Sequence, residues 1–266
     1  MKVVLITGAS AGIGAATARE LAAHGFRVFG TSRKPQAQPA GAPPIEWLAM
    51  DVRDEAQVKA GVAELLQRAG RLDALVCNAG FGIFGSVEEV SIADAQAQLD
   101  TNFFGVLRTL RAALPSLRAQ TGSRVVLVGS LAGRAPIPFQ AHYSASKAAV
   151  EALAMALHNE LHACGVHVAL VEPGDIRTGF NDTVDFSSAD GSPYGERIAR
   201  CREVVEQSLV HAPPPEWVAR AVRRALSAAR PRFRYAVGRE APLVAFGSRL
   251  LPDRIALALL RRHFRI

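Results

Sequence analysis

Cysteine is scarce in this sequence: Cys77, Cys164 and Cys201 are the three in 266 residues, far apart and odd in number. That argues against a disulfide framework and a structural zinc site, and makes a reducing, cytoplasmic compartment the expected one. Also missing is any apolar run near the ~20 residues of a membrane span. Even Leu243 to Leu260 is broken by Arg249, Pro252, Asp253 and Arg254. Lys2, Val3-Val4-Leu5-Ile6 and Ala9-Ser10-Ala11 loosely imitate a secretory leader, but the apolar stretch is shorter than the roughly seven residues such a leader requires. Zinc-finger spacing and RNA-binding aromatic motifs are absent. The net charge of +7 is dispersed apart from Arg223-Arg224 and the tail Arg261-Arg262-His263-Phe264-Arg265, so nucleic acid is not an expected partner. His158 and His162 flank Glu160 in an order that differs from H-E-x-x-H and lacks a third ligand, so no metal site is expected.

What is present is strand and helix in alternation. Lys2 to Thr7 is an apolar, β-branched run that stops at a glycine, as a buried strand does. Gly8, Ser10, Ala11, Gly12, Ile13 and Gly14 follow, then the helix-forming Ala15 to Ala22. A strand, a glycine turn and a helix start bind a pyrophosphate, because the backbone can approach the anion and the helix N-terminus faces it. A second strand, Arg27 to Thr31, ends in Ser32-Arg33-Lys34, and no acid occurs beyond it until Glu46. A site specific for NAD carries an acid about 20 residues past the glycines, whereas an arginine there accommodates a 2'-phosphate. Arg33 therefore points to NADP(H) over NAD(H), against the competing reading of an ordinary exposed strand-end arginine. Pro35 to Pro44 reads as a surface loop.

Further strands are expected at Ile45 to Met50, Leu72 to Cys77, Arg124 to Gly129 and His167 to Glu172. Helices are expected from Asp54 to about Ala69, Ile92 to Ala119 and Tyr143 to Ala163. This pattern means an α/β fold, a doubly wound parallel sheet of Rossmann type with helices on both faces, in a single domain spanning 1–266.

Tyr143 and Lys147 are four residues apart on a helix, hence one turn apart on one face. A phenol titrates near 10, and an ammonium on the next turn stabilises its phenolate. Ser130 ends a buried strand, the place where open α/β sheets bind ligands. Alone, a Tyr and a Lys at this spacing more often form a solvated helix face; context decides.

In that context the chain resembles the short-chain dehydrogenase/reductase family over nearly its whole length. The resemblance rests on Thr7-Gly8-x-x-x-Gly12-x-Gly14, Asp51-Val52, Asn78-Ala79-Gly80, Asn102, Ser130, Tyr143-x-x-x-Lys147, and Pro173-Gly174 followed by Ile176 and Thr178. It implies that Tyr143 exchanges a proton with the substrate oxygen and that Ser130 hydrogen-bonds that oxygen. Lys147 would hold the nicotinamide ribose and lower the Tyr143 pKa, with Asn102 positioning a relay water. Asp51 and Val52 would line the adenine, Asn78, Ala79 and Gly80 would support the cofactor, and Pro173, Gly174, Ile176 and Thr178 would meet the nicotinamide carboxamide.

The variable substrate lid of the family would span about 175–214, with Glu196 to Leu209 a short helix. Phe81, Phe84, Ile137, Phe139, Phe180 and Tyr194 are pocket candidates, and core packing is the competing reading for each. Arg234 to Gly238 and the extension at about 239–266, with a helix from Ile255 to Phe264, resemble the subgroup of 17β-hydroxysteroid and retinol dehydrogenases. That basic, amphipathic tail is expected to cover the core or the substrate mouth; contact with an anionic membrane is the less favoured alternative. A homodimer or homotetramer through the two long helices is what the resemblance implies.

The expected activity is NADP(H)-dependent hydride transfer between nicotinamide and a carbonyl, or a primary or secondary alcohol, of a mainly apolar steroid-, retinoid- or lipid-like substrate. NAD-linked alcohol oxidation is one alternative; a non-catalytic, nucleotide-dependent sensor on the same fold is the other.

Overall fold

The computed structural model describes residues 1–35, 41, 43–179, 185–187 and 191–266, with the backbone alone at 185–187, 248 and 249. The first half of the chain runs β1 (Lys2–Ile6), α1 (Gly12–Ala23), β2 (Phe26–Ser32), β3 (Ile45–Ala49), α2 (Glu55–Ala69), β4 (Ala74–Cys77), β5 (Ile83–Gly85), α3 (Ile92–Leu99) and α4 (Gly105–Arg118). The second half runs β6 (Arg124–Val128), α5 (Ala141–Glu160), β7 (His167–Pro173), β8 (Asp185–Ser187), α6 (Gly195–Val210), α7 (Glu216–Ser227), β9 (Arg234–Val237), α8 (Ala241–Leu250) and α9 (Asp253–His263).

Seven strands form one parallel sheet in the order β3-β2-β1-β4-β6-β7-β9. The continuous apolar strands follow from burial on both faces. Along β1, Val3 and Leu5 join one core with residues of α2, α4 and α5, while Val4 and Ile6 join the other with residues of α1 and α7. β4, β6 and β7 repeat the alternation: Leu75, Leu127 and Leu170 face the first core and Val76, Val126 and Val171 the second. The strand order reverses between β1 and β4, so the loops after their carboxyl ends diverge and leave a crevice, the usual ligand site of such sheets.

Three features depart from the sequence reading. The helix expected from Ile92 to Ala119 is interrupted by a π-helical turn, Asp100–Phe104, which carries Asn102. β5 and β8 form a separate two-stranded parallel sheet, and α8 precedes the expected tail helix. Two readings lie outside the described residues: most of the loop from Pro35 to Pro44, and the parts of the lid at 180–184, which include Phe180, and 188–190. Among the described residues no helix is long and apolar enough to cross a membrane.

Candidate active site

A cleft of about 1200 Å³ runs from the carboxyl ends of β1 and β2 past β4 and β6 to α5 and the C-terminal helices. Its floor is the glycine turn. Gly8 has φ +65°, a left-handed conformation that glycine adopts freely. A Cβ on Gly14 would lie 2.1 Å from the Gly8 carbonyl oxygen, so only glycine lets α1 pack this close to the end of β1. Gly14 is thus a packing residue behind the cleft, whereas Gly8, Ser10, Ala11, Gly12 and Ile13 form its wall. Asn78 fastens the turn: its Nδ2 donates to the Thr7 and Gly8 carbonyls at 3.0 and 3.1 Å, and Thr7 Oγ1 accepts from the Asn78 and Ala79 amides.

α2 and α3 are capped by the side chains of Asp54 and Ser91, but α1 has no side-chain cap and no acid in its first turn. Its first N-H groups, with the local positive end of the helix dipole, remain available to an anion in the cleft. An unobstructed glycine turn at an uncapped helix start fits a dinucleotide pyrophosphate.

At the β2 end the wall comprises Arg33, Lys34, Arg53, Asp51 and Val52. Arg53 Nη2 donates to Asp51 Oδ2 at 2.7 Å, and this bond, with a smaller contribution from the charge of Arg33, holds the Asp51 carboxyl below its ordinary range. Three cations therefore face one engaged carboxylate. Lys34 and Arg53 escaped the sequence reading. The Ser32-Arg33-Lys34 run signalled the first; nothing in the local sequence signalled that Arg53 would fold back onto Asp51.

At the other end Ser130, Tyr143 and Lys147 line the cleft together. Ser130 lies just past β6 and is hydrogen-bonded to the Tyr143 phenol. Its Oγ also accepts from the Ala132 amide at 3.1 Å and donates to the Pro173 carbonyl at 3.4 Å. Lys147 Nζ sits 5.7 Å from the centre of the Tyr143 ring and donates to the Val128 carbonyl at 3.0 Å. Burial lowers the Lys147 pKa to about 8. Burial also pushes the Tyr143 phenol up to about 12, against the opposing pull of the Ser130 bond. The sequence led to the expectation of a lowered Tyr143 pKa; with desolvation the largest influence, the phenol instead moves upward. Tyr143 accordingly holds its proton at neutral pH.

Asn102 stands behind this group and is 1% exposed. Its Oδ1 accepts from the Phe81 amide and its Nδ2 donates to the Phe81 carbonyl and Ser146 Oγ, all at 3.0 Å. The π turn brings this amide against both the loop after β4 and α5, and turns of this kind recur at functional sites.

Pro173, Gly174, Ile176 and Thr178 complete the wall where the nicotinamide segment was expected. Glu240, which the sequence reading missed, ties this turn down by accepting from the Asp175 amide at 2.9 Å.

Of the described pocket candidates, Phe81 and Ile137 line the cleft. Phe139 and Tyr194 do not, and Phe84 is buried among Ile198, Cys201 and Phe264. The backbone at Phe139 is left-handed, with φ 60°, and its ring lies 6.4 Å from those of both Phe84 and Tyr194. Tyr194 donates to Glu88 Oε2 at 2.7 Å. Phe139 and Tyr194 instead border a second cavity of about 660 Å³, which shares Ile137 and Leu260 with the first. Sequence reasoning also missed the apolar walls given by Leu209, Val244, Leu260 and Phe264.

With this geometry in place, residues 2–187 match the family model of the short chain dehydrogenases. The chain belongs to the short-chain dehydrogenase family. It is 35% identical to the 3-ketodihydrosphingosine reductase of Bacteroides thetaiotaomicron, over 100% of this chain and 98% of that protein. It is also 35% identical to human 17-beta-hydroxysteroid dehydrogenase type 1, over 88% of this chain and 76% of that one, which agrees with the hydroxysteroid dehydrogenase-like subgroup. A solved short-chain dehydrogenase from Streptomyces avermitilis superposes with a TM-score of 0.84 at 34% identity, covering 99% of this chain and 97% of its own.

Two further structures were solved with cofactor. A Burkholderia cenocepacia enzyme binds NADP (TM-score 0.76, 27% identity, 98% of this chain and 99% of that one), and a Burkholderia phymatum enzyme binds NAD (0.81, 26%, 97% and 95%). The protein is a nicotinamide-dependent oxidoreductase acting on CH-OH and C=O groups.

Proposed function

We propose that this short-chain dehydrogenase prefers NADP(H) and reduces a carbonyl on a mainly apolar substrate of steroid, retinoid or long-chain lipid type. The observation that carries the reading is the convergence of Ser130, Tyr143 and Lys147 at one end of a cleft whose other end presents Arg33, Lys34 and Arg53. The bound nicotinamide supplies or accepts the hydride. Ser130 Oγ and the Tyr143 hydroxyl both donate to the substrate oxygen, polarising the carbonyl, and Tyr143 then transfers its proton as negative charge develops there. The Lys147 ammonium stabilises the resulting phenolate, and Asn102 positions Phe81 and α5. A phenol that stays protonated supports reduction as the favoured direction near neutral pH; oxidation needs the phenolate and gains as pH rises.

Arg33 and its neighbours suit a 2'-phosphate, and among the described residues at this end of the cleft no carboxylate stands free for a ribose 2'-hydroxyl, since Asp51 is held by Arg53. The name of the sphingoid reductase relative and the apolar walls at Ile137, Val244 and Leu260 support the substrate class. Pairing with a second copy through α4 and α5 is supported by the exposure of Phe104, in the π turn that leads into α4, and of Met155 on α5.

The test is nicotinamide absorbance against ketosteroids, retinoid and long-chain aldehydes and 3-keto sphingoid bases, with NADPH and NADH in parallel. Wild type should consume NADPH preferentially, Tyr143→Phe should lose at least about a hundredfold in turnover, and Arg33→Ala should raise the KM for NADPH while leaving that for NADH unchanged. Unchanged NADPH kinetics in Arg33→Ala would favour the NAD-linked reading. Tight NADPH binding with no turnover across the panel would favour a sensor.

A further inference from the structure

The C-terminal helices do more than roof the cleft. Fifteen large apolar side chains are exposed among the described residues, and eight of them lie between Leu243 and Ile266. One side of these helices faces inward, through Val244 of α8 and Leu260 of α9, with the adjoining Phe264. The other side presents Leu243 (76% exposed), Phe246 (68%) and Leu250 (62%) on α8, and Ile255 and Leu259 on α9. Those positions recur at three- and four-residue spacing, so each helix carries a stripe of its own.

Charge accompanies the stripes. Five arginines and a single aspartate lie between Ala241 and Ile266. Arg254 and Arg262 are exposed, and no ion pair among the described residues engages them; Arg261, also exposed, lines the second cavity. An apolar ridge flanked by cations matches the boundary of an anionic bilayer, where leucine and phenylalanine enter the acyl region and arginines meet phosphates. A second copy of the same face would set arginines against arginines, in a chain already carrying +7.

We propose that the outer faces of α8 and α9 dock the protein on an anionic lipid surface, with the mouth of the catalytic cleft against the membrane. An apolar substrate then passes from lipid to the cleft between Val244 and Leu260 without crossing bulk water. This docking is independent of hydride transfer, so it stands or falls separately from the proposed substrate.

The experiment is co-sedimentation of the full chain with phosphatidylcholine vesicles, with and without about one-third phosphatidylserine, at low and high salt. The double variant Phe246→Glu/Leu259→Glu is compared with Tyr143→Phe and wild type. Wild type and Tyr143→Phe should bind the anionic vesicles alike, lose them at high salt and bind neutral vesicles weakly. The double variant should bind at least about tenfold less while keeping its turnover of a water-soluble carbonyl, which shows that it is folded. Absence of binding by wild type overturns the proposal, as does equal binding by the double variant or equal affinity for neutral vesicles. If the double variant instead converts a larger wild-type assembly into a smaller one and wild type ignores vesicles, the surface belongs to a second copy and the proposal fails.

Discussion

Replacing Lys147 with methionine separates what the ammonium does for the chemistry from what its burial costs the fold. The residue is 6% exposed, and its bond to the Val128 carbonyl does not offset the loss of water around the charge. Burial is the sole cause that brings its pKa from 10.5 to about 8. At about 1.4 kcal/mol per pKa unit, keeping the charge inside the native state at neutral pH costs about 3 kcal/mol relative to the hydrated ammonium of the unfolded chain. Methionine preserves length and removes the charge, but it strands the Val128 carbonyl at a cost of about 1 to 2 kcal/mol. The expected net gain is about 1 to 2 kcal/mol at pH 7, raising Tm by roughly 2 to 8 °C for a domain of this size.

The pH dependence carries the sign. From about pH 8 to about 10.5 the unfolded chain keeps a proton that native Lys147 has released, so wild-type stability rises across that window relative to the variant. The advantage of Lys147→Met should therefore be largest below about pH 8 and vanish near pH 10. Calorimetry of both proteins without cofactor at pH 7 and pH 10 measures this, and turnover should fall by at least about a hundredfold in the variant. A variant less stable than wild type at pH 7, or a difference that does not change with pH, would refute the reasoning.

Gly14→Ala should abolish nicotinamide-cofactor binding and destabilise the protein by at least about 2 kcal/mol, because the new Cβ meets the Gly8 carbonyl at 2.1 Å and α1 has to move off the sheet; a cofactor titration and a urea melt read both effects. Glu172, 1% exposed at the end of β7, holds Arg134 at 2.8 Å and Arg234 at 3.0 Å. Glu172→Leu removes the buried carboxylate that both arginines share but leaves Glu151 beside them, 2.6 Å from Arg234 and 3.5 Å from Arg134, and should cost about 1.5 to 3 kcal/mol, a Tm loss of roughly 3 to 12 °C by calorimetry.

The local sequence was enough for whatever depends on period and spacing. The strands of the sheet core were legible because burial on both faces demands continuous apolar runs, and Tyr143 and Lys147 because four residues make one helical turn. The glycine turn was legible because it must precede a helix without bulky side chains. Tertiary structure decided what depends on separate segments meeting. Glu240 bracing the turn at Asp175 and Asn102 reaching Phe81 and Ser146 join residues whose order in the chain does not announce their contact. The backbone turn at Phe139 sent an expected pocket residue into a different cavity. Only the fold gave α8 and α9 an inner face toward the cleft and an outer face toward solvent. An amphipathic pattern says that a helix has two sides, but not what each side will meet.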